Sequence, residues 1–383
     1  MVRIGINLLY LLPGVNGGTE TYASGLLHGL DELALSEQLF IFVNEEAADW
    51  PLPLANNITR VVCPVRATDR GRRYRFEQFS LPQLLKKKQI DLIHSLGYVG
   101  PLFPGCPAVV TVPDLNYTVF GKQMTLVRKL SLQFFVGQSV RRADKVVTIS
   151  EFARQQILKY FSMSGERVVT IHLAPRLRTP STFTSTSNWL RDKGIESRYV
   201  VAFSSGSPNK NMPRLIQAFT LAKTRKSFDH QLVLIGHMPK EGMPAVMPPD
   251  VHCTGFLSDD DVQLLLRGAE FMLFPSTYEG FGLPALEAMA VGVPIVCSTA
   301  ASLPEVAGDA ALYIDPLSVE DMAEKIDRMT TDTDLKNDLR KKGFFNLARF
   351  SWIQTARQTR QVWQDVLGYA DDRNITGSNS ISL

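Results

Sequence analysis

Glu279 and Glu287 are eight positions apart, and the seven residues between them read GFGLPAL. Two carboxylates at that spacing, divided by two glycines and a proline, suggest a ligand site at a helix entrance. Pro284 suits a first helical turn, where its missing N–H is no loss. Gly280 and Gly282 lack a Cβ, so a ligand can approach the backbone closely. The N–H groups of Phe281, Gly282 and Leu283 are then unused by the helix, and the helix dipole adds partial positive charge. Such an end binds phosphate. Glu287 is expected in the first helical turn and Glu279 in the loop before it, both facing one mouth. Carboxylates repel phosphate but accept hydrogen bonds from hydroxyls. A phosphate-binding helix end flanked by two carboxylates therefore reads as a site for a nucleotide sugar.

The surrounding elements follow from hydrophobic patterning. Short apolar, β-branched runs fall at 2–9, 39–43, 60–64, 91–95, 108–112, 145–149 and 167–171 in the first half. In the second they fall at 199–204, 231–236, 251–255, 271–275, 294–298 and 311–315. They are continuous rather than alternating, as in parallel strands covered on both faces. Helical patterns lie at 19–35, 124–142, 151–161, 211–225, 259–268, 283–291, 319–329 and 334–347. The fold class is α/β, with two doubly wound, Rossmann-like halves. The Pro-, Ser- and Thr-rich stretch in 175–198 reads as a linker. A last helix at 351–369 carries Trp352, Val362, Trp363 and Val366 and needs an apolar surface. The domains are expected at 1–176 and 177–350, with that helix packing back on the first. Residues 370–383 read as a flexible tail.

Length and composition agree. The chain has 383 residues, 45% hydrophobic and 21% charged, which suits two domains of roughly 100–200 residues each. Net charge is +3, but residues 1–176 hold 20 Lys and Arg against 14 Asp and Glu. Cys63, Cys106, Cys253 and Cys297 form no CxxC pair and read as buried thiols in a reducing compartment. No spanning helix or cleavable leader is visible, so a cytoplasmic protein is expected.

The stretch GFGLPALEAMAVGVPIV resembles the signature EGFGLPxLEAMAxGxPVV of the family 4 retaining glycosyltransferases. Other matching stretches are GVNGGTETYASGLL, VVTVPDL, VVTISEFAR, SSGSPNKNMPRLIQAF and LPEVAGDAALYIDP. The resemblance covers about residues 2–368. It implies the GT-B fold, two facing Rossmann-like domains with a cleft between them. It also implies transfer of a hexose from a nucleotide diphosphate sugar, UDP-glucose-like or GDP-mannose, to a hydroxyl of a glycan or lipid-linked acceptor. Surface or exopolysaccharide assembly is the implied setting. The nucleotide sugar is a co-substrate, and neither a cofactor nor a metal is expected.

Roles carry over residue by residue. Glu279 matches the residue near the transferred sugar. Gly280, Phe281, Gly282 and Leu283 match the backbone touching sugar and phosphates, and Glu287 the group binding ribose hydroxyls. Phe256 and Leu257 match the loop that packs the base, although Phe256 alone reads equally as a core aromatic. Gly17 and Gly18, between the first strand and its helix, match a second approach to the diphosphate, with Thr19 and Glu20 opening that helix. Lys210, ahead of helix 211–225, can neutralise charge on the departing diphosphate. Ser205 stands where the family often has arginine, which leaves one cation plus helix ends and hydroxyls for the diphosphate. Pro113 stands where it often has histidine. Asp114 can bind a sugar or acceptor hydroxyl, or cap the following turn. Asn116 and Tyr117 are placed in an acceptor site.

Asp259-Asp260-Asp261 and Asp332-Thr333-Asp334 contain DxD, but each precedes a helix and reads as N-capping. The basic stretch 66–88 reads either as a peripheral contact with an anionic membrane or lipid-linked acceptor, or as a solvated basic face. Nothing suggests nucleic-acid binding. Two other functions share the fold: a non-catalytic nucleotide-sugar-binding partner, and a sugar-nucleotide epimerase.

Overall fold

The structure is a computed structural model. It describes residues 1–15, 17–119, 125–176, 190, 194–195, 198–226, 228–239 and 242–368. Most of the expected linker and the expected tail 370–383 lie outside the described residues. The chain divides into two compact units. One comprises 1–149, 154–172 and the segment from Trp352, and the other comprises 150–153 and 173–351.

The first unit is built on seven strands: β1 (Arg3–Leu8), β2 (Gln38–Val43), β3 (Ile58–Val62), β4 (Leu92–Ser95), β5 (Ala108–Thr111), β6 (Lys145–Thr148) and β7 (Val168–Thr170). Their order is β3-β2-β1-β4-β5-β6-β7, and every neighbouring pair is parallel. Helices α1 (Gly17–Glu32), α2 (Arg70–Arg75), α3 (Leu81–Lys88), α4 (Asn116–Val119), α5 (Leu126–Arg142) and α6 (Glu151–Phe161) connect them. Ile4, Ile6 and Leu8 on β1 and Leu92 and Ile93 on β4 are within 0% exposure, as expected for strands covered on both faces.

The basic stretch is helical from Arg70. Asp69 caps it, accepting from the Arg72 N–H at 3.1 Å. A wider π turn, Phe76–Ser80, joins α2 to α3. That turn points Glu77 inward, 2% exposed, where Asn7 Nδ2 lies 3.4 Å from its carboxylate and Arg73 Nε 4.0 Å. Burial pushes the Glu77 carboxyl up to about 7, against the lowering effects of Arg73 and Asn7. Leu81 and Leu85 pack inward, while Arg70, Arg72, Arg75, Lys86 and Lys87 are exposed.

The second unit has six parallel strands: β8 (Tyr199–Ser205), β9 (Gln231–His237), β10 (Val251–Gly255), β11 (Met272–Phe274), β12 (Ile295–Ser298) and β13 (Ala311–Ile314), in the order β10-β9-β8-β11-β12-β13. Its helices are α7 (Met212–Arg225), α8 (Asp259–Gly268), α9 (Leu283–Ala290), α10 (Leu303–Ala307), α11 (Val319–Thr331) and α12 (Thr333–Leu347). Both DxD stretches serve as helix starts. Ser258 caps α8, with Asp259, Asp260 and Asp261 in its first turn, and Asp332 caps α12.

The last helix, α13 (Trp352–Leu367), belongs to the first unit. Gly25 and Gly29 make room for it on α1: a Cβ at Gly25 would lie 2.2 Å from the Trp352 ring, and one at Gly29 2.3 Å from the Trp352 carbonyl oxygen. Trp363, 1% exposed, donates its indole N–H to His94 Nδ1 at 3.1 Å. Burial depresses the His94 pKa to about 3.

The cysteine expectation needs correction. Cys63 and Cys297 are buried, but Cys106 is half-buried and Cys253 exposed. Cys253 lies on β10, an edge strand of the second sheet.

Candidate functional site

In open parallel sheets, ligands bind beyond the carboxyl ends of the strands where strand order reverses. In the second unit that point lies between β8 and β11. The chain beyond β8 makes a single 3₁₀ turn, Pro208–Lys210, before α7, and the chain beyond β11 runs into the glycine loop ahead of α9.

Asparagines lock these two segments together. The Asn209 side chain donates to the Tyr278 carbonyl at 2.9 Å. Asn211, 4% exposed and at φ +61, donates to the carbonyls of Pro275 and Pro316 at 3.1 and 2.6 Å. Lys210 is thereby aimed at Glu279, with Nζ 2.7 Å from Oε1 and both side chains 14% exposed. The ammonium also lies 5.5 Å from the centre of the Phe274 ring. Cys297, buried nearby, is pushed up by desolvation and by the Glu279 charge.

The loop itself is held by its carbonyls. Ser302 Oγ donates to the carbonyls of Glu279 and Phe281 at 2.9 and 2.7 Å, and Ser150 Oγ donates to that of Gly280 at 2.7 Å. Glu305 accepts the N–H groups of Glu151 and Phe152, which fixes Ser150. Phe281 is 3% exposed and packs edge-on against Phe350 at 5.8 Å. Its backbone lines the loop while its side chain anchors it. Gly282 caps α9 at φ +115, and a Cβ there would meet Leu303 at 2.8 Å. Leu283 and Pro284 open the helix.

Glu287 corrects the sequence expectation. Helix α9 begins at Leu283 and has no acidic residue in its first turn. Glu287 therefore sits a turn later, about 6 Å further along the axis. It lines a pocket of about 120 Å³ with Arg176, Asp259, Val262, Leu266 and Arg267. Arg176 and Asp259 are paired across its rim. Phe256, just past β10, is 73% exposed and Leu257 half-buried, so Phe256 is not a core aromatic. Ser205 is exposed at the end of β8.

In the first unit α1 starts at Gly17, so Gly17 and Gly18 form its exposed first turn rather than the loop before it. Glu20 serves structure, accepting from the Gly14 N–H at 2.8 Å and the Trp50 indole at 3.0 Å. Asp114 accepts from the Tyr98 hydroxyl at 2.8 Å and the Asn116 N–H at 3.1 Å, which makes it a turn cap. Asn116 is exposed, whereas Tyr117 is 2% exposed in the core beside Val110 and Val112.

Sequence reasoning missed Asn209, Asn211, Ser302, Ser150 and Arg176. Ser302 alone left a signal: Ser-Leu-Pro-Glu has the spacing of a capping box. Its hydroxyl caps the glycine loop instead.

Comparisons with known proteins place the chain in a family. Residues 187–344 match the family described as Glycosyl transferases group 1, and residues 16–174 match Glycosyltransferase Family 4. The chain is 29% identical over 270 residues to the O-antigen chain mannosyltransferase B of Escherichia coli, spanning 67% of this chain and 70% of that protein. It is 30% identical over 381 residues to the glycosyltransferase MJ1607 of Methanocaldococcus jannaschii, spanning 92% and 95%. Other mannosyltransferases match over 31% and 55% of their own length. Among solved structures, sucrose-phosphate synthase of Thermosynechococcus elongatus superposes with a TM-score of 0.72 at 17% identity, over 96% of this chain and all of that one.

Proposed function

Because the chain belongs to glycosyltransferase family 4, we propose that it moves a mannosyl group from GDP-mannose to a hydroxyl of a growing surface glycan, with anomeric configuration retained. The sugar is inferred from the mannosyltransferase relatives. One observation carries the site assignment: the Lys210–Glu279 pair stands beside the glycine loop at the strand-order reversal.

The pair suggests how binding proceeds. An arriving diphosphate draws Lys210 from Glu279, and the freed carboxylate takes hydroxyls of the sugar. Glu287 and its pocket hold the ribose, and Phe256 lies against the base. The bond from the anomeric carbon to the diphosphate oxygen breaks while the bond to the acceptor oxygen forms. The acceptor proton passes to the departing phosphate oxygen, so no separate base is needed. Lys210 and the loop amides stabilise the leaving group, and the step invokes no metal. Within the first unit, the exposed Gly17, Gly18 and Asn116 are the proposed ligand contacts. The exposed cations of α2 and α3 would meet an anionic membrane carrying a lipid-linked acceptor. Among the described residues no helix is long and apolar enough to cross a membrane.

The test is donor hydrolysis with GDP-mannose, UDP-glucose and ADP-glucose, using the wild-type protein and Glu279→Ala. Release of mannose by the wild type alone supports the proposal. Hydrolysis of UDP-glucose only would change the donor. Thermal stabilisation by none of the nucleotides would overturn the site.

A further inference from the structure

A trans peptide unit holds its C=O and N–H pointing in opposite directions. Fixing a carbonyl therefore aims the amide of the next residue. In the glycine loop four consecutive carbonyls are fixed by side-chain donors: Tyr278 by Asn209, Glu279 by Ser302, Gly280 by Ser150 and Phe281 by Ser302. Ser302 differs from the others because one hydroxyl serves two carbonyls, two residues apart. Its single proton is shared between them at 2.9 and 2.7 Å. The amides that follow those carbonyls belong to Gly280 and Gly282, and both must point away from the same oxygen atom. Neither amide donates to another group among the described residues. Ser302 is itself 0% exposed, so no ligand reaches it.

We propose that Ser302 is a positioning residue that aims the Gly280 and Gly282 amides, as a pair, at the donor's diphosphate. The inference rests on the nucleotide-sugar reading of the site. Backbone amides recognise diphosphate oxygens through directed hydrogen bonds, and a direction lost is a contact weakened. The β-phosphate, next to the transferred sugar, is the group such a pair would hold. The nucleoside and α-phosphate would be held elsewhere, by the α9 pocket and its neighbours. Removing the Ser302 hydroxyl should therefore weaken diphosphates and spare monophosphates.

The experiment compares GDP with GMP, and UDP with UMP, by titration calorimetry on the full chain well below its melting temperature. The proteins are wild type, Ser302→Ala and Ser298→Ala. Ser298 is also 0% exposed and its hydroxyl accepts the Ala300 N–H at 3.0 Å. It controls for the loss of any buried serine hydroxyl close by. For Ser302→Ala the diphosphate should bind about tenfold more weakly and the monophosphate within about twofold of wild type. Ser298→Ala should leave the diphosphate-to-monophosphate ratio unchanged. Equal weakening of both ligands by Ser302→Ala would overturn the proposal, as would the same ratio change in Ser298→Ala. Unchanged diphosphate binding in Ser302→Ala would overturn it while leaving the donor site intact. If the wild type binds no diphosphate, the donor reading fails and this inference falls with it.

Discussion

Lys210 and Glu279 are 69 residues apart in sequence and 2.7 Å apart in space. Each charge masks the other, so removing one partner exposes its neighbour. Lys210→Met should weaken GDP binding about ten- to hundredfold, the worth of one charge-assisted contact, and lower kcat about 100- to 1000-fold. Glu279→Gln should tighten GDP, because Lys210 is no longer held back, while kcat falls about 100-fold through misplacement of the sugar. Calorimetry and initial rates separate the two, and parallel losses of GDP affinity in both variants would contradict the exchange of partners.

Gly282 sits at φ +115 with Leu303 where a Cβ would go. Gly282→Ala should lower Tm by roughly 5–10 °C through backbone strain and the clash. Adding Leu303→Ala should recover only part, since it relieves the clash and not the dihedral. Differential scanning calorimetry of the single and double variants is the check.

Phe256 is 73% exposed, so Phe256→Ala should leave Tm within about 2 °C. Loss of stacking on the base should weaken the nucleotide about five- to hundredfold. A thermal melt plus a GDP titration decides, and a large Tm loss with unaltered affinity would reassign the side chain to stability.

Glu77 gives a pH dependence of stability. Its carboxyl is held up at about 7 by burial, above its unfolded value, so the folded state binds its proton more tightly. Its contribution is fully present below about 4.3 and is lost as pH rises through about 7. His94 works the other way: its pKa is lowered to about 3, so its contribution is present above about 6.5 and lost on acidification. The two slopes oppose below about 6.5, and only the difference between wild type and Glu77→Gln isolates the carboxylate. Glu77→Gln should stabilise the protein at pH 8 by on the order of 3 kcal/mol and change little at pH 4.5. Urea midpoints from pH 4.5 to 8 measure it, and an equal effect at every pH would refute the buried-carboxylate account.

The central strands were legible because they are continuous apolar runs buried on both faces, as Leu92–Ser95 and Ile295–Ser298 show. The helix at 70–88 was not, because the π turn at Phe76–Ser80 resets the apolar period and sends Glu77 inward. Helix α9 was visible with its start at Leu283, but Glu287 is its fifth residue and so lies beyond the first turn in which it was expected. The residues of the glycine loop were readable from their type and spacing. The groups that aim the loop were not: Asn209, Ser150 and Ser302 arrive from distant positions, and nothing local marks a serine hydroxyl as a clamp on two carbonyls. Asp114 takes the turn-capping alternative that the sequence left open, whereas Tyr117, expected in an acceptor site, is buried in the core, since a polar group near a strand end serves a turn or a core as readily as a ligand.

The hydrogen bond from Trp363 to His94 spans 269 positions. During vectorial synthesis at about 5–20 residues per second, His94 waits on the order of tens of seconds for its indole. Throughout that interval the first unit lacks α13, and the grooves at Gly25 and Gly29 stand open. The second unit leaves the ribosome complete before the first can close. The domain begun earliest is thus the one finished last.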